Sequence, residues 1–473
     1  CSNRGSSAGP RDLMTGMHTS SMHGFHADNE RLARLIFNYV VDRLRQAPPP
    51  LDGPRPLEEL VAAAGTMITE KGIGPDAALA LFNDVLAPAC ISSDHPRYLA
   101  FVPTAPTEAA TFFDLVVSAA NIYGDWWLEG AGAIYAEMQT LRWIADLAGF
   151  PPGAEGVFLS GGTAGNLTAL TVARQTWRRR HDISMLDPGR RGAVVAGPSS
   201  HSSVQLAAMV IDVPLIGVAP DERGRLTGEH LREVLDNTEH EVFAVVATGG
   251  ATNTGVVDDL AGVADVCAER GLWMHVDCAY GGAAMASSRA RPLFNGIERA
   301  DSFVVDPHKW LFAPFDCAAL LYREPGLARA ALAQHAGYLE TLNPTASLNP
   351  SDLGIHMTRR VRGLPLWFSL TAHGSAAYDA AVTRGIELAV EAARRVDTAE
   401  HLELVMEPEL SVVLFRRLGW TADQYQEWSD RALADGLALV VPTVYAGETI
   451  FRFCFVNPTT TVDDIDAILD AMR

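Results

Sequence analysis

Short, almost wholly apolar runs recur through the middle of the chain, each closed by a polar or glycine-rich turn. They are Gly156–Leu159, Ala193–Ala196, Val242–Ala247, Leu272–Val276, Phe303–Val305 and Ala318–Tyr322. Stretches with helical spacing lie among them, such as Leu167–Trp177 and Asp259–Arg270. Continuous apolar strands alternating with amphipathic helices predict a buried, mostly parallel sheet. In such sheets ligands bind outside the carboxyl ends of the strands. Ser160–Thr163, His201, Thr248, Asp277 and Lys309 all lie just past a strand end, so they are expected to share one site.

The flanks follow other patterns. Leu32, Leu35, Ile36, Tyr39, Val40 and Leu44 recur at helical spacing over residues 28–45, and Pro48-Pro49-Pro50 ends that helix. A second helical pattern covers Pro75–Leu86 and a third Thr107–Ala120. The N-terminal segment is too thin for a core of its own and is expected to pack on another lobe or on a partner subunit. After the last apolar run comes a helical stretch over Ala380–Arg395. Strand-like Ser411–Arg416 and Ile450–Val456 then flank a helix at Ala422–Ala434, and a helix over Val462–Met472 closes the chain. This describes a smaller α+β lobe.

Composition narrows the function classes. With 473 residues, 48% of them apolar, the chain can bury a large core. A formal net charge of −20 argues against nucleic acid and against an anionic membrane surface. No apolar run reaches transmembrane length, and the start of the chain lacks a basic-then-apolar signal pattern. The six cysteines form no CxxC pair and are expected to be reduced, in a cytoplasmic protein. The fourteen histidines show no metal-ligand spacing, so no metal site is expected.

Candidate chemistry gathers at the strand ends. Lys309 lies in Asp306-Pro307-His308-Lys309-Trp310, between two apolar runs. A lysine desolvated there has a lowered pKa and can attack an aldehyde at neutral pH. The plainer alternative is a corner lysine whose charge reaches solvent. The run ending at Leu159 leads into Ser160-Gly161-Gly162-Thr163-Ala164-Gly165-Asn166 and a helix. That turn places N–H groups and the Thr163 hydroxyl at a helix N-terminus, where a phosphate is stabilised. Most glycine turns only redirect the chain, and this one is neither a Walker A loop nor GxGxxG. Asp277 would ordinarily be a turn former. Beside a strand-end lysine and a phosphate cradle it suggests a partner for a pyridine nitrogen.

His275-Val276-Asp277-Cys278-Ala279-Tyr280-Gly281-Gly282, together with Asp306-Pro307-His308-Lys309-Trp310, resembles the group II pyridoxal-phosphate-dependent amino acid decarboxylases. These include the aromatic amino acid and glutamate decarboxylases and their actinobacterial relatives. The resemblance runs from about His95 to the C-terminus. It implies an α/β chain of fold type I, like the aspartate aminotransferases, with a mostly parallel central sheet and a smaller α+β C-terminal lobe. It implies pyridoxal 5'-phosphate as cofactor and an L-amino acid, or an amino acid conjugate, as substrate. Decarboxylation would proceed through a Lys309 internal aldimine and a quinonoid. By motif, Asp277 would partner the pyridinium, and Ala279 and His201 would lie against the two ring faces. Gly162, Thr163 and His308 would hold the phosphate, and Thr248 would sit near the ring hydroxyl. Thr358 would reach the phosphate from a facing subunit, and Arg452 would hold the substrate α-carboxylate. Tyr338 matches a mobile-loop tyrosine that protonates Cα after CO2 loss. Thr104, Tyr123 and Trp126 are expected around the substrate.

The resemblance further implies a homodimer with active sites at the interface. Residues 1–22 would be a flexible arm or an expression scar, 23–94 a helical dimer-packing segment, 95–345 the large cofactor-binding domain and 346–473 the small domain. Two departures place the chain in a side branch: Ala164 stands where many relatives have Glu, and Gly-Ala-Thr-Asn where Gly-Thr-Thr is usual. They leave open a second outcome on the same scaffold, namely decarboxylation-coupled oxidative deamination, or β-elimination of a cysteine conjugate, in a biosynthetic pathway. An aminotransferase is disfavoured by the Asp-Pro-His-Lys-Trp motif, and a non-catalytic binding module by the presence of every expected cofactor contact.

Overall fold

The computed structural model describes residues 25, 27–102, 105–184, 187, 189–332 and 349–473. They fall into two compact units, Cys1–Ala47 with Arg55–Pro88, and Pro48–Pro54 with Ala89–Arg473. The first unit is a set of short helices, Ala27–Leu44, Leu57–Ala64 and Pro75–Leu81, the last running into a π turn at Phe82–Leu86. Arg31 clasps Asp76 through both guanidinium ends, at 2.6 and 2.8 Å, and Tyr39 meets Phe82 edge-on. The unit buries little: no residue of Leu57–Ala64 or Pro75–Leu81 is fully covered, and Leu57 and Ile68 are 71% and 92% exposed.

The second unit is built on a seven-stranded sheet. Its strands are β1 (Glu155–Leu159), β2 (Ala193–Ala196), β3 (Leu215–Gly217), β4 (Val242–Thr248), β5 (Trp273–Asp277), β6 (Ser302–Val305) and β7 (Ala318–Tyr322). They lie in the order β1-β7-β6-β5-β4-β2-β3. The pairs from β3 to β6 are parallel, and β7 runs antiparallel to both β6 and β1. Every residue of β2, β5, β6 and β7 is buried, which is why these strands read as largely apolar runs. Alternate residues feed opposite faces. Val195, Val245, Met274 and Phe303 join the core under Leu260–Arg270. Val194, Ala244 and Val304 join the core under the helix Gly162–Arg180.

That helix begins five residues before the expected Leu167, within the glycine turn itself. The cause is tertiary. A Cβ at residue 165 would come within 2.5 Å of Val304 Cγ2, and one at residue 162 would meet Ala279 Cβ at 3.0 Å. Glycine at both places lets the first helical turn sit directly on the ends of β5 and β6. A long helix, Trp127–Leu147, went unread in the sequence because its buried face mixes Glu137 and Thr140 with alanines and aliphatic residues, which blurs the period.

The C-terminal part contains the helices Leu364–His373 and Ser375–Thr398. They lead to an antiparallel four-stranded sheet of β8 (Leu402–Leu404), β9 (Val412–Arg417), β10 (Pro442–Tyr445) and β11 (Glu448–Cys454). The helices Ala422–Ala434 and Val462–Asp470 both start in capping boxes, Thr421 with Gln424 and Thr461 with Asp464. Residues of both pack on the inner face of this sheet around Phe415, Phe451 and Phe453.

One buried charge cluster has a measurable signature. Arg359 donates to both Glu137 carboxylate oxygens, at 3.1 and 2.6 Å, and to Gly124 O at 2.6 Å. Its Nε lies 3.4 Å from Asp125 Oδ1, while neither Asp125 oxygen has a hydrogen-bond partner among the described residues. Burial pushes the Asp125 carboxyl up to about 7 from 3.8, against the opposing pull of Arg359. Between those values the folded chain holds a proton that the unfolded chain has lost, so this group makes stability fall as pH rises through that window. Urea midpoints measured from pH 4 to pH 8 should therefore show a downward component that vanishes in Asp125→Asn. An identical pH slope in the variant would show that Asp125 ionises normally.

Candidate active site

A cavity of about 370 Å³ opens at the carboxyl ends of the parallel strands. Most of its wall comes from strand ends and the segments that follow them: Ser160–Thr163 after β1, Ser199 and His201 after β2, Thr248 closing β4, Asp277 closing β5, and Asp306, His308 and Lys309 after β6. The topology thus brings together Gly162, Thr163, His201, Thr248, Asp277, Ala279, His308 and Lys309, all of which line the cavity.

Lys309 stands on a single helical turn, Pro307–Trp310, with Pro307 at its first position. Its Nζ is 3.0 Å from Asp306 Oδ2, and that same oxygen accepts the Gly162 N–H at 3.2 Å. Asp306 therefore joins the lysine to the N-terminus of the 162–180 helix. Its other oxygen, Oδ1, is buried with no hydrogen-bond partner among the described residues. His308 Nδ1 accepts the Cys317 N–H at 3.0 Å, and its Nε2 lies 3.7 Å from Asp306 Oδ2. Burial holds the His308 pKa below the usual imidazole range, although Asp306 pulls the other way.

At the end of the neighbouring strand β5, Asp277 Oδ2 accepts the Asn166 side-chain N–H at 2.8 Å, and Oδ1 accepts the Ala279 N–H at 3.2 Å. The β4 end is tied down by buried Asp258, whose carboxyl oxygens accept the Thr248 N–H at 2.6 Å and the Leu226 N–H at 2.8 Å. Thr248 Oγ1 is buried with no hydrogen-bond partner among the described residues. His201 caps the helix Ser202–Val210, its Nδ1 accepting the Ser203 N–H at 3.2 Å.

The remaining expected residues fall elsewhere. Thr104 and Tyr338 lie outside the described residues. Tyr123, Trp126, Thr358 and Arg452 do not line the cavity. Tyr123 donates its hydroxyl proton to Met357 O at 2.5 Å and bridges Arg360, which joins the 123–126 and 357–360 segments into one strip. Arg452 is buried, and its guanidinium donates to Thr252 O at 2.6 Å and to Phe101 O at 2.8 Å; of these, Thr252 does line the cavity. Sequence reasoning assigned nothing to Asp306, Asn166 and Ser203. Asp306 could have been suspected as a buried acid three residues from the lysine. Nothing local marks the other two.

A family model described as the pyridoxal-dependent decarboxylase conserved domain matches residues 70–418. The aromatic-L-amino-acid decarboxylase of Bacillus atrophaeus is 32% identical over 417 residues, covering 85% of this chain and 85% of that protein. The L-2,4-diaminobutyrate decarboxylase of Rhizobium meliloti (strain 1021) is 32% identical over 421 residues, covering 86% and 83%. Among solved structures, Oryza sativa TDC with PLP and tryptamine superimposes with a TM-score of 0.89 at 24% identity, over 96% of this chain and 99% of that one. The chain belongs to the pyridoxal-dependent decarboxylase family. It is of fold type I, its cofactor is pyridoxal phosphate, and its reaction is the decarboxylation of an amino acid.

The cavity fits that cofactor on its own evidence. It offers an amine, a helix N-terminus suited to a phosphate, the Asp277 carboxylate, and a buried Thr248 hydroxyl with no partner among the described residues. The 162–163 glycine–threonine start leaves room where a side chain at 162 would press on Ala279. Among the described residues no helix is long and apolar enough to cross a membrane, and no cluster of metal-ligating side chains is found.

Proposed function

We propose that this chain removes the α-carboxylate of an L-amino acid as CO2 in the Lys309 cavity, working as a cytoplasmic homodimer. The carrying observation is that Lys309, paired with Asp306, and the Asp277 carboxylate line one cavity. When bound, pyridoxal phosphate supplies a ring that draws electrons away from the substrate Cα. In this reading Lys309 holds the cofactor's aldehyde carbon. The N-terminus of the 162–180 helix, Gly162, Thr163 and His308 hold the phosphate. Asp277 keeps the ring nitrogen's proton in place. His201 and Ala279 flank the ring, and Thr248 offers its spare hydroxyl to the ring oxygen. Arg452, which does not line the cavity, would hold the substrate carboxylate once its guanidinium leaves Thr252 O.

The decisive experiment is a panel of aromatic, basic and acidic L-amino acids assayed together for CO2, amine, peroxide and pyruvate. CO2 with an equal yield of amine supports the proposal. Aldehyde with peroxide, or pyruvate with a free thiol, would move the chain to the oxidative or eliminating outcome. Tyr338 enters as the proposed proton donor to Cα. Tyr338→Phe should keep CO2 release while amine yield falls and oxygen is consumed. An unchanged amine yield would assign the proton to another group.

Two observations support the dimer. The 123–126 and 357–360 strip carries three residues expected at the site, Tyr123, Trp126 and Thr358, that do not line the chain's own cavity. The first unit leaves Leu57, Val61 and Ile68 exposed. Thr358, Tyr123 and Trp126 are proposed to complete the partner's site. Sedimentation at assay concentration should give twice the chain mass, and a fully active monomer would overturn this.

A further inference from the structure

Behind the Asp277 wall lies a hydrogen-bonded chain whose donors and acceptors can be assigned without ambiguity. Asn166, Ser203, His275 and Ser302 are all buried. The Asn166 amide nitrogen is 2.8 Å from Asp277 Oδ2 and 2.9 Å from Ser203 Oγ. A carboxylate only accepts, so that atom is the NH2 end, and the Asn166 oxygen faces His275 Nε2 at 2.9 Å. An amide oxygen cannot donate, so His275 carries its proton on Nε2. Its Nδ1, 2.9 Å from Ser302 Oγ, then accepts the Ser302 hydroxyl proton. Ser302 Oγ in turn accepts the indole N–H of Trp273 at 3.0 Å. Burial holds the His275 pKa down, to about 4, so the ring stays neutral as this pattern requires.

The other branch is equally determined. His201 Nδ1 accepts the Ser203 backbone N–H at 3.2 Å, so it is unprotonated and also takes the Ser203 hydroxyl proton at 2.8 Å, while Ser203 Oγ accepts from Asn166. With two donors aimed at Nδ1, the His201 ring proton sits on Nε2.

We propose that Asn166 is a positioning residue that ties the Asp277 carboxylate and the His201 imidazole into one unit, its amide oriented from below by His275, Ser302 and Trp273. The inference rests on the proposed roles of Asp277 and His201 at the cofactor. A buried polar network is costly unless every member is satisfied, and here every member is. The amide gives one donor to Asp277 and one to Ser203 Oγ, whose own proton goes to His201 Nδ1. One residue thereby holds the rotamer of the acid directly and supports the tautomer of the imidazole through Ser203.

The test uses the full chain with 15N-labelled histidine, read by long-range proton–nitrogen correlation, beside titration of the apoprotein with pyridoxal phosphate. In the unmodified protein the His201 signal, assigned by its loss in His201→Gln, should show the proton on Nε2. Asn166→Ala should weaken cofactor binding about 10–100-fold, the usual range for one hydrogen bond to a charged group, and should mix the His201 tautomers. Ser203→Ala should mix the tautomers with a smaller effect on affinity. His275→Gln, which keeps a donor facing the Asn166 oxygen, should stay close to the unmodified protein, whereas His275→Leu should weaken binding. Should Asn166→Ala fail to fold, the Ser203 and His275 variants carry the same two readouts. A His201 proton on Nδ1, unchanged affinity in Asn166→Ala, or equal affinity losses in His275→Gln and His275→Leu would each overturn the proposal. Absence of cofactor binding in the unmodified protein would instead defeat the functional reading, and the tautomer measurement would still decide the relay.

Discussion

Replacing Lys309 by alanine is expected to cut decarboxylation by at least about 10⁴-fold, close to 5.5 kcal/mol of lost transition-state stabilisation. The amine is the one group in the cavity able to hold an aldehyde covalently, and the only lysine lining it. The fold should survive. Lys309 is partly exposed, and its ion pair is with Asp306, which keeps its hydrogen bond from the Gly162 N–H. Thermal midpoints close to that of the unmodified protein would separate lost chemistry from lost structure. Arginine at 309 should be no better than alanine, because a guanidinium stays charged and does not attack an aldehyde. A Lys309→Ala protein that retains a tenth of the CO2 release would remove this residue from the reaction.

The second large effect is expected at Asp277. Converting it to asparagine keeps the shape and removes the charge. The Asn166 N–H would then face an amide that must either accept or clash. A fixed charge aimed at the reacting group is commonly worth about 10²–10³ in turnover, or roughly 2.7–4 kcal/mol. Asp277→Asn should therefore lose about that much turnover and also bind pyridoxal phosphate more weakly. Loss of affinity with normal turnover at saturating cofactor would assign Asp277 to binding alone.

Much of this site could be read from the strands. β2, β4, β5 and β6 are short apolar runs bounded by turns, so their carboxyl ends, and with them Thr248, Asp277 and Lys309, could be placed before any coordinates. The antiparallel course of β7 could not, because a strand buried on both faces has the same composition in either direction. Asn166 escaped for a related reason. It is an ordinary polar residue near a helix start, and its partners Asp277 and His275 are 111 and 109 positions away. Asp306 was visible as part of a motif, but its contact with Gly162 depends on β1 and β6 delivering their C-terminal turns to one place. The early start of the 162–180 helix has the same origin, since the glycines that permit it answer to Val304 and Ala279 rather than to their sequence neighbours.

The central claim is that one amine at the end of β6 carries the cofactor. Borohydride reduction of the holoenzyme, followed by proteolysis and mass mapping, tests it directly. The pyridoxyl group should be found on Lys309 at one per chain, and a label on another lysine, or no label on a yellow protein, would contradict the account.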